Sequence, residues 1–267
     1  MTLIPTLEDV RRAQAVVGGY TRTRLEIIAA RPGNPRGAEV REFDGGAVAM
    51  RAPGFPGSSY NHAYGFSDAH RDAIPALIAW YQAGVGGAFA LAPGPETVKT
   101  AGLLADAGFR MTSFHATMFG PADLPSADAP GVEIELVTDE AALEPFGDVY
   151  QRGWGQDFRI PMRPWLTAPG WRLYLGRVEG KPAGAAILYL DGDIGYLADG
   201  AVDPDFRQHG VHRALLDRRV DDARAAGATR IVSGCNYLSG SHRNQLRKGL
   251  SLLYTEVFWT LPGTPLP

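Results

Sequence analysis

The segment GYLADGAVDPDFRQHGVHRALLDRRVDDARAA, Gly195 to Ala226, decides how this chain is read. An apolar, strand-like run ends at Asp203-Pro204, the turn Arg207-Gln208-His209-Gly210-Val211-His212 follows, and a helix opens directly after the glycine. A helix N-terminus carries N–H groups without intrahelical acceptors and the positive end of the helix dipole, so this layout attracts phosphate. Arg207 adds a charged planar donor, and Gly210 removes the Cβ that would hold a pyrophosphate away from the backbone. The chain contains neither a G-x-G-x-x-G after a strand nor a G-x-x-x-x-G-K-[ST], so the dinucleotide-binding and P-loop readings lose their main support.

The turn resembles motif A of the GNAT acyltransferase superfamily, [RQ]-x-x-G-x-[GA], which binds the pyrophosphate of an acyl-coenzyme A. The match runs from Arg207 to His212, and His212 stands where a Gly or Ala is usual. The surroundings agree with it: a strand and a Val202-x-Pro204 lead-in before the turn, a helix after it, then a second strand from Arg230 to Gly234. The resemblance covers Val132 to Leu261. VEIELV reads as a strand, DEAALEPFGDVYQRG as a helix capped by Thr138 or Asp139, and the three segments split by Glu179-Gly180 and Asp191-Gly192-Asp193 as a meander.

Outside this region the same plan recurs. DAIPALIAWYQAG, GAFALAP, ETVKTAGLLADAG and FRMTSFHATMF run helix, strand, helix, strand, as do the segments from Val211 to Leu261. Gly108-Phe109 corresponds to Gly249-Leu250, each glycine suited to a left-handed helix end. The expected fold is therefore α/β (α+β): two GNAT-like domains, each a mixed, mostly antiparallel sheet flanked by helices. Residues 1–125 form an N-terminal helical segment plus a degenerate copy without the phosphate turn, and residues 126–267 the copy that binds cofactor. The boundary is placed in GPADLPSADAPG, Gly120 to Gly131.

Composition excludes several alternatives. With 45% apolar and 21% charged residues this is an ordinary globular chain, without a secretory leader or a run long enough to cross a bilayer, so a cytoplasmic location is expected. The single cysteine, Cys235, permits no internal disulfide and no multi-cysteine metal site, and it reads as a small buried hydrophobe. A formal net charge of −3 gives no drive toward nucleic acid or an anionic membrane, and it argues against an aminoacyl-tRNA dependent transferase, which also pairs GNAT-like domains. No metal is expected. A homodimer is one arrangement the sequence leaves open.

The resemblance implies that acetyl-CoA, or another acyl-CoA, is the cosubstrate and that a small amine or an amino terminus accepts the acyl group by direct attack. It implies a cofactor site made by Ala201 and Val202, whose backbone would pair with the pantetheine arm, by Arg207, Gln208, His209, Gly210, Val211, His212 and Arg213 of the turn, and by Asn244. Gly200 marks a bulge that would splay two strands. Asp199 beside it is the candidate base, because partial desolvation would raise its pKa toward neutrality. Tyr254 and Glu256, on one face of the last strand, are further catalytic candidates that would line the acceptor slot, and Trp154, Phe158 and Trp165 are candidates for shaping a pocket. His62 is a candidate approaching from the first half, with packing or surface as its alternative. Many family members place a catalytic Tyr where Gln245 stands. That absence keeps open a non-catalytic acyl-CoA-binding sensor or regulatory subunit.

Overall fold

The computed structural model describes residues 4–55, 57–127, 129–154 and 162–265. In chain order its elements are α1 (Leu7–Ala29), β1 (Glu39–Glu42), β2 (Val48–Arg51), β3 (His62–Tyr64), α2 (Ile74–Gln82), β4 (Ala88–Leu91), α3 (Val98–Asp106), β5 (Arg110–Pro121), β6 (Val132–Val137), α4 (Glu140–Trp154), β7 (Trp171–Val178), β8 (Lys181–Asp191), β9 (Ile194–Val202), α5 (Val211–Ala225), β10 (Arg230–Asn236), α6 (Gly240–Lys248) and β11 (Ser251–Thr260). The chain divides into two compact units. A central unit comprises Thr117–Leu252, and a split unit joins Thr2–Ala116 to Leu253–Pro267. Among the described residues no helix is long and apolar enough to cross a membrane.

In the central unit, β6 to β9 form an antiparallel meander and β10 joins β9 in parallel. Asp139 supplies the α4 cap, its Oδ1 accepting from Ala142 N at 2.9 Å. Glu179 and Gly180, at φ 50° and 75°, make the tight β7–β8 hairpin. Helix α5 lies close against the meander because Gly184 and Gly195 lack side chains, a Cβ on Gly195 falling 2.7 Å from Ala223 Cβ. A Cβ on Gly184 would fall 2.5 Å from Val211 Cγ1 and 2.9 Å from Leu215 Cδ1. The segment following β5 is pinned by a buried ion pair. Lys248 Nζ lies 2.6 Å from Asp217 Oδ1 and donates to the Pro125 carbonyl at 2.7 Å.

The split unit has the strand order β1-β2-β3-β4-β11, parallel between β3 and β4 and antiparallel elsewhere. Thr6 and Asp9 close a capping box on α1. One sheet face packs Phe66, Ile74, Leu77, Tyr81, Phe89, Leu91, Leu104 and Phe109 into a core with α2 and α3. Each such side chain removed from water contributes roughly 1.5–3 kcal/mol. Along β11 burial alternates, so that Tyr254, Glu256, Phe258 and Thr260 share the buried face. The order α2-β4-α3-β5 repeats α5-β10-α6-β11, and Gly108 and Gly249 follow the second helix of each run at φ 84° and 103°.

Candidate functional site

The phosphate turn is built by backbone geometry. Asp203 Oδ1 accepts from Asp205 N at 3.1 Å, while its Oδ2 receives Arg152 Nε at 2.7 Å. Burial alone would raise the Asp203 pKa, but these hydrogen bonds and the charges of Arg152 and Arg207 hold it below the usual carboxylate range. Gln208 and Gly210 both take left-handed angles, φ 72° and 81°, and Gly210 is the residue on which α5 starts. A Cβ built on Gly210 meets no atom within 4 Å, so the chain is open at the residue on which α5 and its first N–H groups start. Arg207, Gln208, His209 and Arg213 are exposed around it, with the His209 Nδ1 3.1 Å from the Arg207 carbonyl. This cradle fits a pyrophosphate.

Beside the turn, β9 carries a bulge. Ala186 pairs with Gly200 but Ile187 pairs with Ala198, which leaves Asp199 as the extra residue, at φ 22°. Tyr150, from α4, donates its hydroxyl to Asp199 Oδ2 at 2.7 Å. The pairing of β9 with β10 runs from Ile194–Arg230 to Leu197–Ser233, before the bulge. The segment Ala198–Val202, with Ala201 and Val202 at its end, therefore pairs with β8 but not with β10 in that register, as a splay requires. Arg219, only 3% exposed, secures the bulge by donating to the carbonyls of Ile187 at 3.0 Å and Ala198 at 2.7 Å. Cys235, on β10, is buried, and burial pushes its thiol up to about 11.

His212 points away from the cradle and into α6. Its Nδ1 accepts from Asn244 Nδ2 at 3.2 Å, which leaves Nε2–H to donate to Ser241 Oγ at 3.1 Å. Burial, reinforced by the Arg219 charge, lowers its pKa to about 4, so the ring is neutral. Asn244 also accepts from Arg247 at 3.0 Å, and Gln245 donates to Ser241 Oγ at 3.1 Å. Ser239 caps α6 by accepting from His242 N.

Asp199, Ala201, Val202, the turn from Arg207 to Arg213, and Asn244 all lie in the central unit, whereas Tyr254, Glu256 and His62 belong to the split unit. His62 Nδ1 donates to the Ser58 carbonyl at 2.6 Å, and burial lowers its pKa to about 4. Trp165 is fully buried against Tyr150 and Trp171, Trp154 is half-exposed, and Phe158 falls outside the described residues. The residues not anticipated are Tyr150, Arg152 and Arg219. The last had a visible signal, an arginine within the helical pattern LLDRRV whose neighbours are core residues.

Residues 138–239 match the model of the acetyltransferase (GNAT) family. No curated relative matches the chain in sequence. Among solved structures, a GCN5-related N-acetyltransferase from Kribbella flavida is similar over 92% of this chain and 95% of its own, at 15% identity and a TM-score of 0.64. One from Sphaerobacter thermophilus is similar over 83% and 82%, at 14% identity and a TM-score of 0.58. A tandem GNAT protein from the clavulanic acid biosynthesis pathway is similar over 92% and 96%, at 12% identity and a TM-score of 0.56. At such identities the likeness is one of fold, and it extends over both units. Residues 138–239 thus match the acetyltransferase (GNAT) family model, and over most of its length the chain is similar in fold to a tandem GNAT protein.

Proposed function

We propose that the central unit is an acyl-coenzyme A dependent N-acyltransferase, most simply an acetyltransferase, that moves the acyl group to an amine by direct attack. The observation that carries this reading is the clear cradle before Gly210 adjoining a bulged strand that presents Asp199. The N–H groups at the start of α5 and the Arg207 guanidinium hold the pyrophosphate, and Ala201 and Val202 offer backbone partners to the pantetheine arm. Asp199 takes the proton that the acceptor amine loses as its nitrogen bonds to the acyl carbon; the carbon–sulfur bond of the thioester then breaks, and coenzyme A leaves as a thiolate that takes its proton from water. Tyr150, hydrogen-bonded to Asp199 Oδ2, fixes the carboxylate's direction. His212 and Asn244, engaged with each other, hold α6 beside the turn. Tyr254 and Glu256 are given no step in this reaction.

One observation favours a second reading. Gln245 has no proton to give a departing thiolate, and its amide nitrogen is committed to Ser241. An acyl-CoA sensor needs no such proton. Calorimetry with coenzyme A together with thioester consumption over a panel of amines separates the two: an enzyme shows binding and amine-dependent turnover, a sensor binding alone. Loss of the Gly210→Trp variant's affinity, with the fold retained, is expected in both cases. Unchanged affinity in that folded variant removes the cradle from either reading.

A further inference from the structure

Glu256 has no role in the reaction proposed above, and its setting is costly. It is 5% exposed, in the middle of β11, and among the described residues it has neither a hydrogen-bond partner nor an ion-pair partner. Buried carboxyls are ordinarily paired or hydrogen-bonded, and leaving one alone forfeits its hydration with nothing in return. Burial raises its pKa to about 8, well above the ordinary carboxylate value.

The neighbours on that face are aromatic. Tyr254 and Phe258 flank Glu256 at two residues on either side, roughly 6.5 Å away along the strand. The Phe258 ring stands 5.0 Å from His115 and 6.3 Å from Tyr64, and Ala88 and Ala90 of the adjoining β4 lie on the same face with only methyl groups. A buried carboxyl on the same strand face as aromatic side chains and beside alanines matches one kind of ligand. A primary ammonium ion donates hydrogen bonds to the carboxylate and sets its charge against ring faces.

We propose that the split unit binds a small primary ammonium ion at Glu256, with Tyr254 and Phe258 as its flanking rings, as a site of its own. The proposal does not rest on the acyltransferase reading, because the probe is studied without coenzyme A. The full chain is titrated with n-butylammonium chloride by calorimetry, and n-butanol serves as the uncharged counterpart. Saturable binding of the ammonium, none of the alcohol, and roughly 10- to 100-fold weaker binding by Glu256→Gln are expected. The Gly210→Trp variant should bind the ammonium as the parent does. Carbon-13 titration of the Glu256 carboxyl in the unaltered protein gives an arm that needs no mutant: its midpoint should fall toward the ordinary carboxylate value when n-butylammonium is present. Equal affinity of Glu256→Gln, absence of saturable ammonium binding, equal binding of the alcohol, or an unmoved carboxyl midpoint would each overturn the site.

Discussion

Asp199 sits at φ 22°, an angle that an aspartate holds only where the surroundings impose it. Its place as the extra residue of the bulge and the bond from Tyr150 supply that constraint. If it is the base, Asp199→Asn should lower kcat by roughly two to four orders of magnitude with coenzyme A affinity nearly unchanged. Tyr150→Phe should lower kcat less, since the carboxylate remains. Steady-state kinetics beside coenzyme A calorimetry checks both. Glu256 gives a separate prediction for stability. Its folded pKa of about 8 stands above the ordinary 4.5, so the folded chain binds the extra proton and loses stability as pH rises between those values, by up to about 1.4 kcal/mol per pH unit. His62 and His212, lowered from 6.5 to about 4, act in the opposite sense and take stability away only as pH falls through that range. From pH 6.5 to 8 the Glu256 slope therefore stands clear of the two histidines, and denaturant unfolding of Glu256→Gln should be flatter there than that of the parent.

At the scale of elements, the bulge depends on Arg219. Its guanidinium satisfies two carbonyls where the β8–β9 ladder is broken, and Arg219→Met strips both of their donor. The variant should lose roughly 2 kcal/mol or more of stability and, on the proposed cofactor site, bind coenzyme A more weakly, because the bulged end of β9 is no longer held open. Chemical denaturation and calorimetry measure the two effects. The elements themselves were readable from local pattern. Alternation gave β6 to β9, the Gly-ended helical runs gave α2, α3, α5 and α6, and the glycine at 210 gave the start of α5. The site was readable where backbone chemistry makes it, in the turn, and less so where distant side chains meet. Tyr150 is 49 residues from Asp199 and Arg219 is 32 from Ile187, and no spacing rule connects such pairs. His212 stands where a Gly or Ala is usual; the sequence names the residue but not its rotamer, and the ring is hydrogen-bonded to Ser241 and Asn244 of α6.

At the scale of the molecule, the buried pair Lys248–Asp217 ties the stretch around Pro125 to α5 and α6 within the central unit. Lys248→Met leaves Asp217 as an uncompensated buried charge and should cost about 3–5 kcal/mol, while Lys248→Met with Asp217→Leu should recover much of that loss. Thermal unfolding of the three proteins decides it. The larger arrangement concerns β11. Its Val257 pairs with Leu91, so a strand near one end of the chain completes a sheet begun near the other. The central unit draws on the unbroken run from Thr117 to Leu252, whereas the split unit needs Leu253 onward. On a ribosome, which delivers the chain from its N-terminus, the half made first must therefore wait, its β4 edge unpaired, until the half made second has passed through the exit tunnel. Maturation runs counter to the order of synthesis, and a stall before Leu253 would leave Thr2–Ala116 without their closing strand.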